Sequence, residues 1–250
     1  MHCTGCITAV ENKLPPNSRH NHGLAMDALN ARAWRALLSA LVVMSALLFG
    51  PAGTLHYSQA WLYLTVFMGG ATVVTIDLMR RDRPLLERRL AAGVAAEREP
   101  AQKIILRAAA VAFAALLAIP AIERRLGHAG QTLAVLASGN VLVALGFAIV
   151  GRVYRENSFT SASVRVVETQ HVVCSGPYAI VRHPMYLGVT FCLAGTPLAL
   201  GSYWAVAPAL VLVSLMVWRL VDEERVLAAE LPGYVEYQQR VRWRLLPKVW

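Results

Sequence analysis

An all-α, polytopic transmembrane helical bundle is the fold class that the sequence predicts, and three observations predict it. Hydrophobic residues make up 56% of the 250-residue chain and charged residues only 16%, where a soluble domain carries roughly a quarter charged. Mean hydropathy is correspondingly high, at +0.47. The apolar residues fall into about six blocks, each near the ~20 residues that a helix needs to span a hydrocarbon core. Lys and Arg collect between those blocks in alternate loops, which is how a multi-pass chain marks its cytoplasmic side.

The first 33 residues read as a cytoplasmic leader, expected to be disordered. The stretch Met1 to Leu24 is polar, with no visible apolar h-region of a cleavable signal. Cys3 and Cys6 form a Cys-x-x-Cys pair beside His2. A lone pair is half a zinc site, so a metal there is the weaker reading. Met26 precedes an ordinary lead-in, MDALNARAWRALL, and is an alternative start.

Residues 34–150 read as the N-terminal transmembrane helices, with apolar blocks at 36–53, 57–79, 104–122 and 130–150. Between the second and third, RRDRPLLERRLAAGVAAEREPAQK (80–103) spaces Leu85, Leu86, Leu90 and Val94 as an amphipathic helix would. It suits either an interfacial helix or a solvated basic loop. The last two blocks, 186–200 and 203–221, read as a helical hairpin turned at Gly201 and Ser202, the first of them short and broken by Gly188, Gly195 and Pro197. With six blocks, the loops 80–103 and 151–185 and the tail 219–250 carry 7, 4 and 6 Lys plus Arg. The opposite loops 54–56, 123–129 and 201–202 carry 0, 2 and 0. Both termini are therefore expected in the cytoplasm.

The formal charge of +9 invites a nucleic-acid reading, but no recognition helix or RNP-like aromatic pattern accompanies it. No nucleic-acid partner is expected; membrane lipids are the acidic surface that fits. Cysteines 3, 6, 174 and 192 do not suggest a disulfide framework, because Cys192 falls inside an apolar block and Cys174 in a loop placed on the cytoplasmic side.

Residues 151–250 carry the chemistry. The loop after the fourth block is rich in hydrogen-bonding groups and ends in GPYAIVRHPMYLG (176–188). Gly176 permits unusual backbone angles and Pro177 fixes its own. Pro184 biases His183 away from helix and suits the first turn of the next one. Arg182 and His183 are thus held at a helix amino end, where free N–H groups and the dipole favour an anion. Taken singly, Arg182 is an interface anchor, Tyr178 and Tyr186 belt aromatics, and His183 a loop histidine. Their clustering within nine residues points to a site. The last block runs into WRLVDEERVLAAELPGYVEYQQRVRWRLLPKVW (218–250). There Arg219 and Glu223 share a helix face, and ionisable groups at the mouth of a membrane bundle mark function. The rest of the tail is amphipathic. Tyr234, Tyr237, Val241, Trp243, Leu245, Leu246 and Trp250 are expected to fold onto the bilayer surface or over a cytoplasmic pocket.

RHPxYxG followed by EExxL, GYVEYQQRV and RLLP, in that order and spacing, resembles the isoprenylcysteine carboxyl methyltransferase and phospholipid methyltransferase superfamily of integral membrane enzymes. The resemblance covers about residues 168–250. It implies a methyltransferase that takes S-adenosyl-L-methionine without a dinucleotide-binding fold, and no GxGxxG follows a strand-like run here. It implies a cofactor site on the cytoplasmic side, made of Gln170, His171, Val172, Val173, Tyr178, His183, Pro184, Met185, Tyr186 and Glu223, with Arg182 and Glu224 beside them and no metal. Arg219 would face the substrate and, with Glu223, be catalytic. His171 stands where relatives place their histidine only if the register shifts by one, so Gln170 and His171 compete for that place. The implied acceptor is lipid-like or lipidated. A prenylated cysteine carboxylate comes first, already ionised at pH 7 and needing only a cation. The alternative is a phospholipid headgroup amine, which must lose a proton to Glu223, Glu224 or His183. Two further readings are an NADPH-dependent membrane sterol-type reductase, against which EExxL after RHPxYxG argues, and a non-catalytic metal-handling protein using Cys3 and Cys6.

Overall fold

The computed structural model describes residues 16–91, 100–127, 130–160 and 171–250, and among them the chain is all-α. Its helices are α1 (Pro16–Ala52), α2 (Ser58–Arg81), α3 (Arg83–Ala91), α4 (Pro100–Arg125), α5 (Leu133–Glu156), α6 (Pro184–Leu200), α7 (Val206–Glu230) and α8 (Tyr234–Arg240), with a 3₁₀ turn at Gly176–Ala179. Cys3, Cys6, Val94 and Gln170 lie outside the described residues.

Four stretches are long and apolar enough to cross a bilayer: Asp27–Ala52, Ser58–Arg81, Gln102–Arg125 and Leu133–Glu156. Val42, Val73, Val111 and Val141 on these helices are each more than half exposed. Surfaces of that kind mark contact with a partner or a membrane, so the helices turn apolar faces outward as lipid-facing ones do. α6 has 17 residues, about 25 Å at ~1.5 Å per residue, against a hydrocarbon core of ~30 Å. α7 is apolar at its start and charged over DEERVLAAE at its end.

Two helix boundaries and the setting of α3 differ from the sequence reading, each for a packing reason. The leader expected to be disordered through residue 33 is helical from Pro16, and Leu29 and Ala33 pack into a core cluster with α3. α5 continues past residue 150 to Glu156 because Val153 and Tyr154 bury into that same cluster. In α3, Leu85 and Leu86 are 0% and 3% exposed, so they pack into the protein rather than into lipid. Asp82 ends α2 and starts α3: its backbone N–H donates to the Leu78 carbonyl, and its Oδ1 accepts from the Leu85 N–H at 3.0 Å. That is an N-cap, and it turns the chain sharply at the end of α2.

α5 and α6 pack glycine against glycine. A Cβ on Gly139 would stand 2.2 Å from the Ala199 nitrogen, and one on Gly146 2.5 Å from the Gly188 carbonyl oxygen. Small residues at such spacing let two helix backbones approach where apolar burial offers no drive. At the far end of α6, Gly201 adopts φ +72° and stops the helix. The Tyr57 hydroxyl donates to the Leu200 carbonyl at 3.2 Å, and Tyr63 and Thr196 share a hydrogen bond of 3.1 Å. These contacts fix α6 in the bundle, and its other end begins the site.

Candidate functional site

The site is built where α6 starts. His183 sits at φ −124°, ψ 61° with Pro184 as the first helical residue. The backbone N–H groups of Arg182 and His183 donate to the Trp243 and Arg244 carbonyls, both at 2.9 Å. The segment ahead of the helix is thereby strapped to the chain's C-terminal part. Gly176 takes φ +55° to open the 3₁₀ turn, and a Cβ there would meet the Glu156 carboxylate at 2.6 Å. Tyr178 lies in that turn. Its hydroxyl accepts from Asn157 Nδ2 at 3.1 Å, and its carbonyl accepts the Tyr237 hydroxyl at 2.7 Å.

Beneath this segment lies a buried charge cluster. Glu224, 5% exposed, has Oε1 2.8 Å from Arg182 Nε and 3.2 Å from His183 Nε2, and Oε2 2.8 Å from Arg244 Nε. The Arg182 contact is ionic rather than an aligned hydrogen bond, since its Nε–H finds no acceptor in good geometry. Burial alone would raise the Glu224 pKa. Hydrogen bonds with His183 and Arg244 and the nearby Arg182 charge outweigh it and hold the carboxyl down at about 2.

One cleft opens over the cluster. His171, Val172, Val173, Tyr178, Arg182, His183, Pro184, Met185, Tyr186 and Glu223 all line it, so ten of the residues singled out in the sequence come together. Glu224 is not in the wall; it lies behind Arg182 and His183. Residues that the sequence did not single out for this pocket complete it: Asn157, Phe159 and Thr160 after α5, and Val226, Leu227 and Leu231 at the end of α7. Tyr234 and Tyr237, among the tail aromatics expected to fold onto the bilayer surface or over a pocket, close it from α8. The cavity volume of the cleft is about 90 Å³, and its mouth is open. A ligand of drug size, for which pockets run ~300–1,000 Å³, must therefore fill the mouth as well.

The wall is aromatic with few charges. The Tyr186 hydroxyl donates to Glu223 Oε2 at 2.7 Å and is also hydrogen-bonded by Arg219. Burial holds the Tyr178, Tyr234 and Tyr237 phenols above their ordinary range, so they are neutral at pH 7. Tyr234 is 4% exposed and its hydroxyl has no hydrogen-bond partner among the described residues. Buried polar groups are nearly always partnered, so this hydroxyl stands ready for a ligand.

Arg219 opens elsewhere. It lines a second, apolar cavity of about 640 Å³ between the helices, walled by Leu37, Phe67, Ile105, Phe113, Phe147 and Leu212 among others. Met185 lines both spaces. A polar cleft and a larger apolar cavity thus meet at Met185.

Residues 134–231 match the phospholipid methyltransferase family. No curated protein matches the chain. The matched segment spans α5 through α7 and holds the 3₁₀ turn, the RHPMY cluster, Arg219, Glu223 and Glu224. Tyr234, Tyr237 and Arg244 lie just beyond it, and α1 to α4, which supply much of the apolar cavity, lie before it.

Proposed function

We propose that the protein is a membrane-bound, S-adenosylmethionine-dependent methyltransferase acting on a lipid-like acceptor. The observation that carries this reading is the shared Met185 wall: a polar, aromatic cleft for a cationic cofactor meets an apolar cavity for an acyl or prenyl chain. The match to phospholipid methyltransferases supports it and weighs against the nicotinamide-dependent reductase.

The cleft residues fit the cofactor. S-adenosylmethionine supplies an electrophilic methyl on a cationic sulfur, and it also carries an ammonium and a carboxylate. Glu223 and the faces of Tyr178, Tyr186 and Tyr234 suit the positive groups. The Tyr234 hydroxyl, unpartnered among the described residues, supplies a hydrogen bond. Alignment and exclusion of water do most of the work in such a displacement, and the strapped 182–186 segment provides a rigid frame for it.

Of the two acceptor chemistries, the headgroup amine of a phospholipid is better supported than the prenylcysteine carboxylate that the sequence put first, because the matching family is the phospholipid one. An ammonium headgroup loses a proton before it attacks. Glu223, in the cleft wall and hydrogen-bonded by Tyr186, takes that proton. Glu224, tied to Arg182, His183 and Arg244, is a positioning residue. In the same reading the chain crosses the membrane six times, with α6 and α7 as the last pair and the cleft at the cytoplasmic face, where the loop arginines gather.

The test is transfer of labelled methyl from S-adenosylmethionine by the reconstituted protein. Label is expected in phosphatidylethanolamine. Label on N-acetyl-S-farnesylcysteine alone would reverse the choice of acceptor, and label on no lipid of either kind would overturn the reading.

A further inference from the structure

Arg89 carries no role so far, yet its position is unusual. It lies on α3, two residues before the end of the helix anchored by Leu85 and Leu86, and it lines the apolar cavity. Its guanidinium stacks over the Tyr154 ring at 5.0 Å, and Nη1 sits 3.7 Å from Met185 Sδ. Neither partner is an anion, and among the described residues no carboxylate pairs with it. A half-buried guanidinium in an apolar wall is costly unless an anion answers it. Arg219, on α7, lines the same cavity and reaches Tyr186, the neighbour of Met185. Two arginines therefore flank the wall that separates cavity from cleft.

We infer that Arg89, with Arg219, holds the anionic phosphodiester of a phospholipid acceptor whose acyl chains lie in the apolar cavity. The inference rests on the proposed phospholipid methyltransferase reading and assigns residues to the phosphate of its acceptor. A phosphodiester fits better than a bare carboxylate because it presents several oxygens to two separate guanidiniums, each able to make paired hydrogen bonds. It also fits the layout: two carbons separate phosphate from amine in an ethanolamine headgroup, so a phosphate held beside Met185 delivers the nitrogen to the cleft. Stacking on Tyr154 restrains the Arg89 side chain, so less freedom is lost on binding.

The experiment is lipid retention in non-ionic detergent, read by native mass spectrometry. Phosphatidylethanolamine and diacylglycerol of identical chains are offered together, and N-acetyl-S-farnesylcysteine is offered separately as a competitor. Wild type is expected to prefer phosphatidylethanolamine by about tenfold or more, Arg89→Gln to lose most of that preference, and Arg89→Lys to keep part of it. Equal retention of the two lipids by wild type, or an undiminished preference in Arg89→Gln, would overturn the inference. So would displacement of phosphatidylethanolamine by the farnesylated carboxylate at lower concentration. Titration of the same samples with S-adenosylmethionine separates the two claims: lost cofactor binding with intact lipid preference would count against the proposed function and leave the phosphodiester site standing.

Discussion

Glu224→Gln is expected to destabilise the protein by about 3–5 kcal/mol, the usual effect of removing one partner from a buried ion pair. The substitution keeps size and shape but strips the charge that Arg182, His183 and Arg244 converge on. Arg182 is itself only 8% exposed, so its charge is left uncompensated where water cannot reach it. The damage extends to the site, because the same cluster holds the 182–186 segment under the cleft. A thermal melt in detergent checks the prediction, and pH gives it a signature. The Glu224 pKa is depressed in the folded protein to about 2, below the ordinary ~4.3 of a glutamate. Its contribution is therefore fully present above that ordinary value and is lost as pH falls toward about 2. Wild type should exceed Glu224→Gln in stability at neutral pH and lose its lead through that acid window. Equal melts at pH 7 would show that the cluster does not hold the fold.

Gly139→Ala is expected to be the most damaging single-methyl change among the helix-packing glycines. The added Cβ would lie 2.2 Å from the Ala199 nitrogen and 2.7 Å from the Gly195 carbonyl oxygen. Both are backbone atoms of α6, so no side chain can swing away and the helices must part. Overpacking of this kind costs ~1–3 kcal/mol and occasionally more. Parting α5 from α6 also displaces the two elements that carry Asn157 and His183 to the cleft, so cofactor affinity should fall with the melting temperature. Gly69→Ala is the control: nothing lies within 4 Å of its Cβ position, and alanine in a helix interior is favoured by ~1 kcal/mol. Equal melts for the two variants would mean that α5 and α6 are not packed as described.

Apolar block length was enough to read the four long helices from the sequence, since a block near 20 residues has few other structures open to it. Local chemistry likewise exposed the 176–186 segment, because Gly176, Pro177 and Pro184 dictate backbone conformation without help from distant residues. What could not be read was pairing between distant parts of the chain. Arg244 looks like one basic residue among several in the tail, and only the fold brings it to Glu224. Glu223 and Glu224 are adjacent in sequence, yet the helix points one at the cleft and the other behind it. Tyr234 and Tyr237 were legible as amphipathic tail aromatics, but which face they cover depends on the strap between residues 182–183 and 243–244. The leader's helicity from Pro16 was hidden too, because Leu29 and Ala33 gain their apolar neighbours only from α3 and the end of α5.

Calorimetric titration of the detergent-purified protein reads whether the cleft over Glu224 holds S-adenosylmethionine. Wild type is expected to bind S-adenosylmethionine and S-adenosylhomocysteine saturably. Glu223→Gln should weaken binding about tenfold or more by removing the charge that faces the cofactor's cationic groups. Tyr234→Phe should weaken it several-fold while leaving the melt of the ligand-free protein unchanged or raised, since its buried hydroxyl has no partner among the described residues. No saturable binding by folded wild type, or binding that neither substitution changes, would contradict the assignment of this cleft.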